Sequence, residues 1–287
     1  MASIALQSAA SGLNALSSKL DVVANNLANV NTTGFKSSRA NFQDLLYIER
    51  QQPGVENANG DQRPIGLHVG LGVQVAGTQL NFEQGSPIAT ERPLDIMIDG
   101  LGFLQVGIEE GQTAYTRAGN LTLNSDGELV LASDVGRRIE PRINIPADAR
   151  TITIGADGRV FVSQPGEAEP QEVGQIQLAS FINPAGLTQI GENLYTETAA
   201  SGAPIVGNPS EGHYGRILQG QLESSNVDAT YELIELIRTQ RAFEMNSQSF
   251  NAADETLQLG CWDGNVLAEL DDFLGVLDEE EIRARLW

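Results

Sequence analysis

Lysine is nearly absent from this chain: Lys19 and Lys36 are the only two in 287 residues. With the arginines they make 17 basic residues against 38 acidic ones, a formal charge of −21. Such a surface cannot displace counterions from phosphates, so nucleic acid is excluded as a partner and an anionic bilayer is disfavoured. Cysteine occurs once, at Cys261, which excludes an intrachain disulfide. Histidine occurs twice, at His68 and His213, and neither has a second ligand at metal spacing. Long apolar runs are missing too, since no segment approaches the ~20 residues needed to span a bilayer. No basic residue precedes Lys19, so the start lacks the positive region of a secretory leader and none is expected to be cleaved.

Catalytic patterns are equally sparse. No Gly-x-Ser-x-Gly elbow occurs, and Cys261 has no histidine near it in sequence. Gly100-Leu101-Gly102-Phe103 begins like a dinucleotide fingerprint, but the third glycine is missing and a strand pattern follows, so it reads as a turn. A glycosidase acting on peptidoglycan would need two carboxylates about 5–10 Å apart. Glu109-Glu110 and Asp271-Asp272 are the evident pairs, and in a chain this acidic they read as solvated surface. No catalytic residue, metal or cofactor is therefore expected.

What is present is concentrated at the two ends. Leu6, Ala9, Leu13, Leu16, Leu20, Val23, Leu27 and Val30 recur at spacings of three and four, the repeat of a helix that packs along another helix. Ser3 reads as its N-cap and Gly34 as its stop. Near the other end Leu236, Phe243, Phe250 and Leu257 recur every seventh residue, with Ile234, Ile237, Met245 and Ala253 widening the stripe. That helix is expected to start near Ser225 or Asn226, with Asp228 in its first turn, and to run to about Leu259. Asn25, Asn26, Asn29 and Asn31 lower the propensity of the first helix, so it needs a partner.

Between the ends the pattern changes to short alternating runs. Val69, Leu71, Val73 and Val75 open it, followed by strand candidates at 95–98, 103–106, 113–116, 121–123, 129–131, 151–154, 160–162 and 175–181. Asp126-Gly127 and Asp157-Gly158 sit between such runs and predict two hairpins whose central residues have positive φ. Residues 47–66 show neither period and read as a loop or extended arm. The expected fold class is α+β: long N- and C-terminal helices pairing as a coiled coil, with a central mainly-β domain. The expected division is 1–46 with 224–259 for the helical part, 47–90 for an extended arm, 91–223 for the β domain and 260–287 for an acidic tail. That tail holds eight acidic and two basic residues and an apolar helical stripe at Val266, Leu270, Phe273, Leu274 and Leu277.

Asn25, Asn26, Leu27, Asn29, Gly34, Phe35 and Lys36 lie in the string 24–36, which closely resembles the N-terminal signature of the bacterial flagellar rod and hook proteins. Four further stretches, at 94–103, 115–119, 191–198 and 224–228 with 240–244, resemble the same family in the same order. Residues 47–66 stand where the distal-rod branch carries an extra segment. The resemblance implies a non-enzymatic subunit that polymerises helically with itself into a straight hollow drive shaft transmitting torque. It implies contacts with proximal-rod, hook and ring proteins of the basal body, and export through the flagellar apparatus without leader cleavage. It also implies that residues 47–66 stiffen the shaft. On this reading Leu6, Leu13, Leu16, Leu20, Val23, Leu27, Val30, Ile234, Ile237, Phe243, Phe250 and Leu257 form the coiled-coil and subunit interface. Salt screening, over about 8 Å, and arginines such as Arg238 and Arg241 would let such acidic copies stack.

Overall fold

The computed structural model describes residues 2–54, 65–108, 111–165 and 169–275. Two helices, α1 (Ala2–Ala28) and α2 (Ala229–Gly275), bracket a chain of short strands, so the α+β class stands. Ser3 lies inside α1 rather than capping it. The helix ends earlier than Gly34 because its asparagines offer competing partners: Asn29 donates through Nδ2 to the Asn25 carbonyl at 3.0 Å. At α2 the cap is Asp228, whose Oδ1 accepts from the backbone N–H groups of Thr230 (2.8 Å) and Tyr231 (3.2 Å). The helix then runs without a break to Gly275, well past the expected stop at Leu259.

The chain divides into two compact units, one of residues 1–21, 40–77 and 235–287, the other of residues 22–39 and 78–234. In the first, α1 and α2 run antiparallel: Lys19 Nζ donates to Glu235 Oε2 at 2.8 Å, and Asn246 Nδ2 donates to the Ala9 carbonyl at 3.0 Å. The expected coiled coil is not formed. A coiled coil needs apolar knobs seated along a continuous close approach of two backbones, and no such sustained approach joins these helices among the described residues. Long polar side chains reach across instead. On α1 only Val23 of the seam is buried, while Leu6, Leu13, Leu16, Leu20 and Leu27 are half-covered, as is Val30 just beyond the helix. On α2 Leu236, Phe243 and Phe250 are half-covered, but Ile234 and Ile237 are 44% and 42% exposed. The side chain of Leu257 lies outside the described residues. Apart from Val23, the buried positions of the two helices among the described side chains are small or polar: Ala15, Asn26 and Thr239.

The same unit holds a hairpin of Tyr47–Gln51 with Leu67–Gly70. The supposed arm is thus partly strand, and it escaped the period-2 pattern because every residue of Tyr47–Gln51 is exposed, leaving no buried face to write an alternation. Gly72 packs against Ser11 of α1 at a φ of 120°, and Ser11 Oγ accepts from the Val73 N–H at 3.2 Å.

The second unit is antiparallel β. One seven-stranded sheet runs in the order Thr188–Gly191, Leu194–Thr196, Thr113–Thr116, Phe103–Gly107, Leu178–Ser180, Ile205–Gly207, with Ile139–Glu140 also on Phe103–Gly107. A three-stranded sheet of Thr151–Ile154, Arg159–Ser163 and Gln171–Gln175 packs with it around a core that includes Leu104, Val106, Leu121, Leu129, Val160, Ile176 and Leu178. A second cluster is aromatic, with Phe103, Tyr115, Phe181 and Tyr195 meeting edge to face at centroid distances of 4.7–6.2 Å. Both predicted hairpins form, Leu121–Leu123 with Leu129–Leu131 and Thr151–Ile154 with Arg159–Ser163. Their turns differ from expectation, because only Gly127 and Gly158 take positive φ, at 78° and 80°, and the aspartates do not. The Gly127 N–H donates to Asn124 C=O (3.1 Å) and the Gly158 N–H to Gly155 C=O (2.9 Å), so each turn is the longer kind closed by one left-handed glycine.

Leu104 is 1% exposed at the centre of this core. Leu104→Ala should cost about 2–5 kcal/mol in chemical unfolding of the monomer. Ile182→Ala, at a position 84% exposed, should leave the midpoint in place.

Candidate functional site: a buried ionic junction

Among the described residues, three distant pieces of the chain meet at one carboxylate. Glu223 ends the strand Gln221–Glu223, which pairs with Pro87–Ala89. Its Oε1 accepts from Lys36 Nζ at 2.6 Å and from the Gly85 N–H at 2.9 Å, and its Oε2 accepts from Arg117 Nη1 at 3.4 Å. The Lys36 and Glu223 side chains are fully buried and that of Arg117 is 3% exposed. Two cations therefore share one anion, and backbone carbonyls take one further donor from each: Glu83 C=O accepts from Lys36 Nζ at 2.6 Å and Gly100 C=O from Arg117 Nη2 at 2.8 Å, while Arg117 Nε is buried without a hydrogen-bond partner. The guanidinium also lies 5.3 Å from the Phe103 ring centroid. Burial pushes the Lys36 ammonium below its ordinary 10.5, with Glu223 opposing, and lowers Arg117 for the same reason. Burial likewise raises the nearby Tyr195 hydroxyl to about 12.

Local geometry delivers Lys36 to this place. Gly34 donates its N–H to the Glu223 carbonyl at 2.8 Å, and at its φ of 71° a Cβ would stand 2.7 Å from the Ala118 nitrogen. Only glycine fits there. Asn26, 1% exposed, uses its carboxamide as a spare peptide unit: Nδ2 donates to Ser38 C=O (2.9 Å), Oδ1 accepts from Ser38 N–H (3.0 Å), and Nδ2 also reaches Glu232 Oε1 at 3.1 Å. Asn226 does the same from the other end, accepting from Ser37 N–H at 2.8 Å and donating to Asn81 C=O at 2.8 Å. Asn193 Nδ2 donates to Thr33 C=O at 3.2 Å.

Of the residues singled out by the string 24–36, Gly34 and Lys36 bond to Glu223 in this junction, and Asn26 and Phe35 are buried. Asn25 and Asn29 close the end of α1, with Asn29 Nδ2 donating to Asn25 Oδ1 at 2.8 Å, and Leu27 is half-covered. Glu223 was missed altogether. The available signal was a chain that keeps almost no lysine yet places one beside a glycine and a phenylalanine. His68 is exposed, and His213 lies against Tyr214 with ring centroids 4.3 Å apart. Gly100 and Gly102 form the expected turn between strands, at φ of 114° and 133°. Glu109-Glu110 and the side chains of Cys261, Asp271 and Asp272 lie outside the described residues. No described helix is long and apolar enough to cross a membrane.

Three family models match the chain: flagella basal body rod protein over residues 6–36, flagellar hook protein FlgE/F/G D1 domain over 97–162, and flagellar basal body rod FlgEFG protein C-terminal over 218–260. The flagellar basal-body rod protein FlgG of Caulobacter vibrioides is 46% identical over 255 residues, covering 88% of this chain and 97% of that protein. This chain belongs to the flagellar basal-body rod protein family. FlgG of Agrobacterium fabrum is 46% identical over 252 residues (88% and 95%) and that of Borreliella burgdorferi 43% over 255 (88% and 96%). The rod protein is a structural subunit of the flagellar basal body and not an enzyme. Each matched segment contributes one charge of the junction: Lys36, Arg117 and Glu223. What the three segments share is thus the device that closes the chain on itself.

Removing one partner of a buried ionic group leaves the rest uncompensated. Glu223→Gln should therefore lower the stability of the rod protein by about 3–5 kcal/mol in urea unfolding. The triple variant Lys36→Met, Arg117→Met, Glu223→Leu should lose less than the single one, because no charge is stranded.

Proposed function

We propose that this rod protein is a distal-rod subunit, assembling helically with copies of itself into a straight hollow shaft that carries torque between motor and hook. The observation that supports this most is apolar surface that the subunit does not cover for itself. Ile234, Ile237 and Met245 on α2 are exposed, Met245 by 62%, and the seam leucines of α1 (Leu6, Leu13, Leu16, Leu20 and Leu27) are only half-covered. Monomers leave apolar side chains aligned on a helix in this way when another chain is to cover them. The partners on this reading are other copies and the proximal-rod, hook and ring proteins around them. The location is the basal body from periplasm to outer membrane, reached through the flagellar export apparatus with no leader removed. Residues 47–66, whose described part is the exposed hairpin strand with Tyr47 at 59% and Ile65 at 79% exposure, would stiffen the shaft by filling the gap between neighbours.

In-frame deletion of the gene should leave cells unable to swim, with isolated basal bodies that carry rings and proximal rod but no shaft in electron micrographs. Cells that swim normally and assemble complete basal bodies without this chain would overturn the reading.

A further inference from the structure

The antiparallel register of the helices leaves one end of α2 beyond α1. Lys19 meets Glu235 and Ala9 meets Asn246, so ten residues back along α1 match eleven forward along α2. Continued to Ala2, where α1 begins, this register comes level with about residue 254 of α2, yet α2 continues to Gly275. At 1.5 Å per residue the overhang is roughly 30 Å of helix. Its sequence is not that of a solvated spacer. Leu259, Trp262, Val266, Leu270 and Phe273 follow one another at intervals of three and four, and Asp263, Glu269, Asp271 and Asp272 stand among them without a basic residue. The family match ends at residue 260, so most of this overhang lies beyond the matched segment.

An acceptor of matching character lies on the earlier part of the same helix. Ile234, Ile237 and Met245 are exposed there, with Arg238 and Arg241 between them, the Arg238 side chain 70% exposed. Apolar residues in line with two arginines suit an apolar stripe flanked by Asp263 and Glu269. The overhang cannot reach this surface on its own chain, because both are parts of one continuous helix.

We propose that the overhang of α2, residues 257–275, docks on the Ile234–Met245 face of a second copy. This rests on the reading of the chain as a self-assembling rod subunit and adds a specific contact to it. Donor and acceptor are different surfaces, so the contact is head-to-tail and propagates instead of closing as a dimer. It also sets the arginines of one subunit against the acids of the next, which offsets part of the mutual repulsion of copies carrying −21 each.

The lone Cys261 provides the test. Full-length rod protein carrying Ile237→Cys or Met245→Cys has two cysteines on one helix, too far apart for a disulfide within a chain, whose Cα atoms must approach to about 4.4–6.8 Å. Under mild oxidation these variants should give ladders of trimers and larger species on non-reducing gels. The unsubstituted chain, with one thiol, can give no more than dimers. Ile182→Cys on the β unit serves as control, and ladders no longer than its own would overturn the proposal. As a second measurement, Arg238→Glu with Arg241→Glu should raise the concentration for self-association in sedimentation at least tenfold, and adding Asp263→Arg with Glu269→Arg should restore it. Unchanged association in the first double variant would also overturn the contact. Such failures, with the chain still found in isolated basal bodies, would remove the overhang contact and leave the rod reading intact; absence from basal bodies would remove the latter.

Discussion

Glu223 is the point on which the β unit closes. A buried carboxylate facing two buried cations is costly to form, since each ion must shed its water, and it holds only when nearly every remaining donor finds an acceptor. Here the carbonyls of Glu83 and Gly100 and the N–H of Gly85 meet that requirement. The consequence is geometric specificity. An apolar core tolerates sliding, whereas a lysine that must reach one oxygen at 2.6 Å while Gly34, two residues before it, is held by the Glu223 carbonyl does not. Asn26 and Asn226 repeat the principle on either side, each using an amide to stand in for a missing backbone neighbour.

The helices show the opposite economy. Among the described residues their mutual hydrogen bonds include Lys19 to Glu235, Asn26 to Glu232 and Asn246 to the Ala9 carbonyl, and leucines that would seal a coiled coil are only partly covered. Lys19 and Arg238 both hold Glu235 below the usual carboxylate range, which shows the pairing is favourable, but exposed pairs of this kind contribute at most about 1 kcal/mol each. A polar contact of that strength aligns two helices without exhausting their apolar surface. For a subunit of an assembly, the greasy edge is better left for its neighbours than consumed internally.

The strand pattern of the middle was legible because most strands there have at least one buried face, and burial is what writes alternation into sequence. Leu129–Leu131 and Val160–Val162 declare themselves for that reason, and the two Asp-Gly pairs mark their turns. Tyr47–Gln51 could not be read, having no buried side at all. The helical seams were legible as helices but misleading as partners: spacing reports that a face is apolar and is silent on what covers it. Of the junction, the neighbourhood of Lys36 stood out by resemblance, while Glu223 did not, because an acid in a chain with 38 acidic residues carries no mark of being the one that is buried.

The separation of the three charges along the chain has an effect on its birth. Lys36 precedes Glu223 by 187 residues and Arg117 precedes it by 106. A ribosome adding about 5–20 residues per second needs roughly 10–40 s to cover the longer interval. Throughout it both cations lack their counter-ion, and a nascent core that tried to shut would have to entomb them bare. The junction therefore cannot close until residue 223, near the start of the last quarter of the chain, has been made.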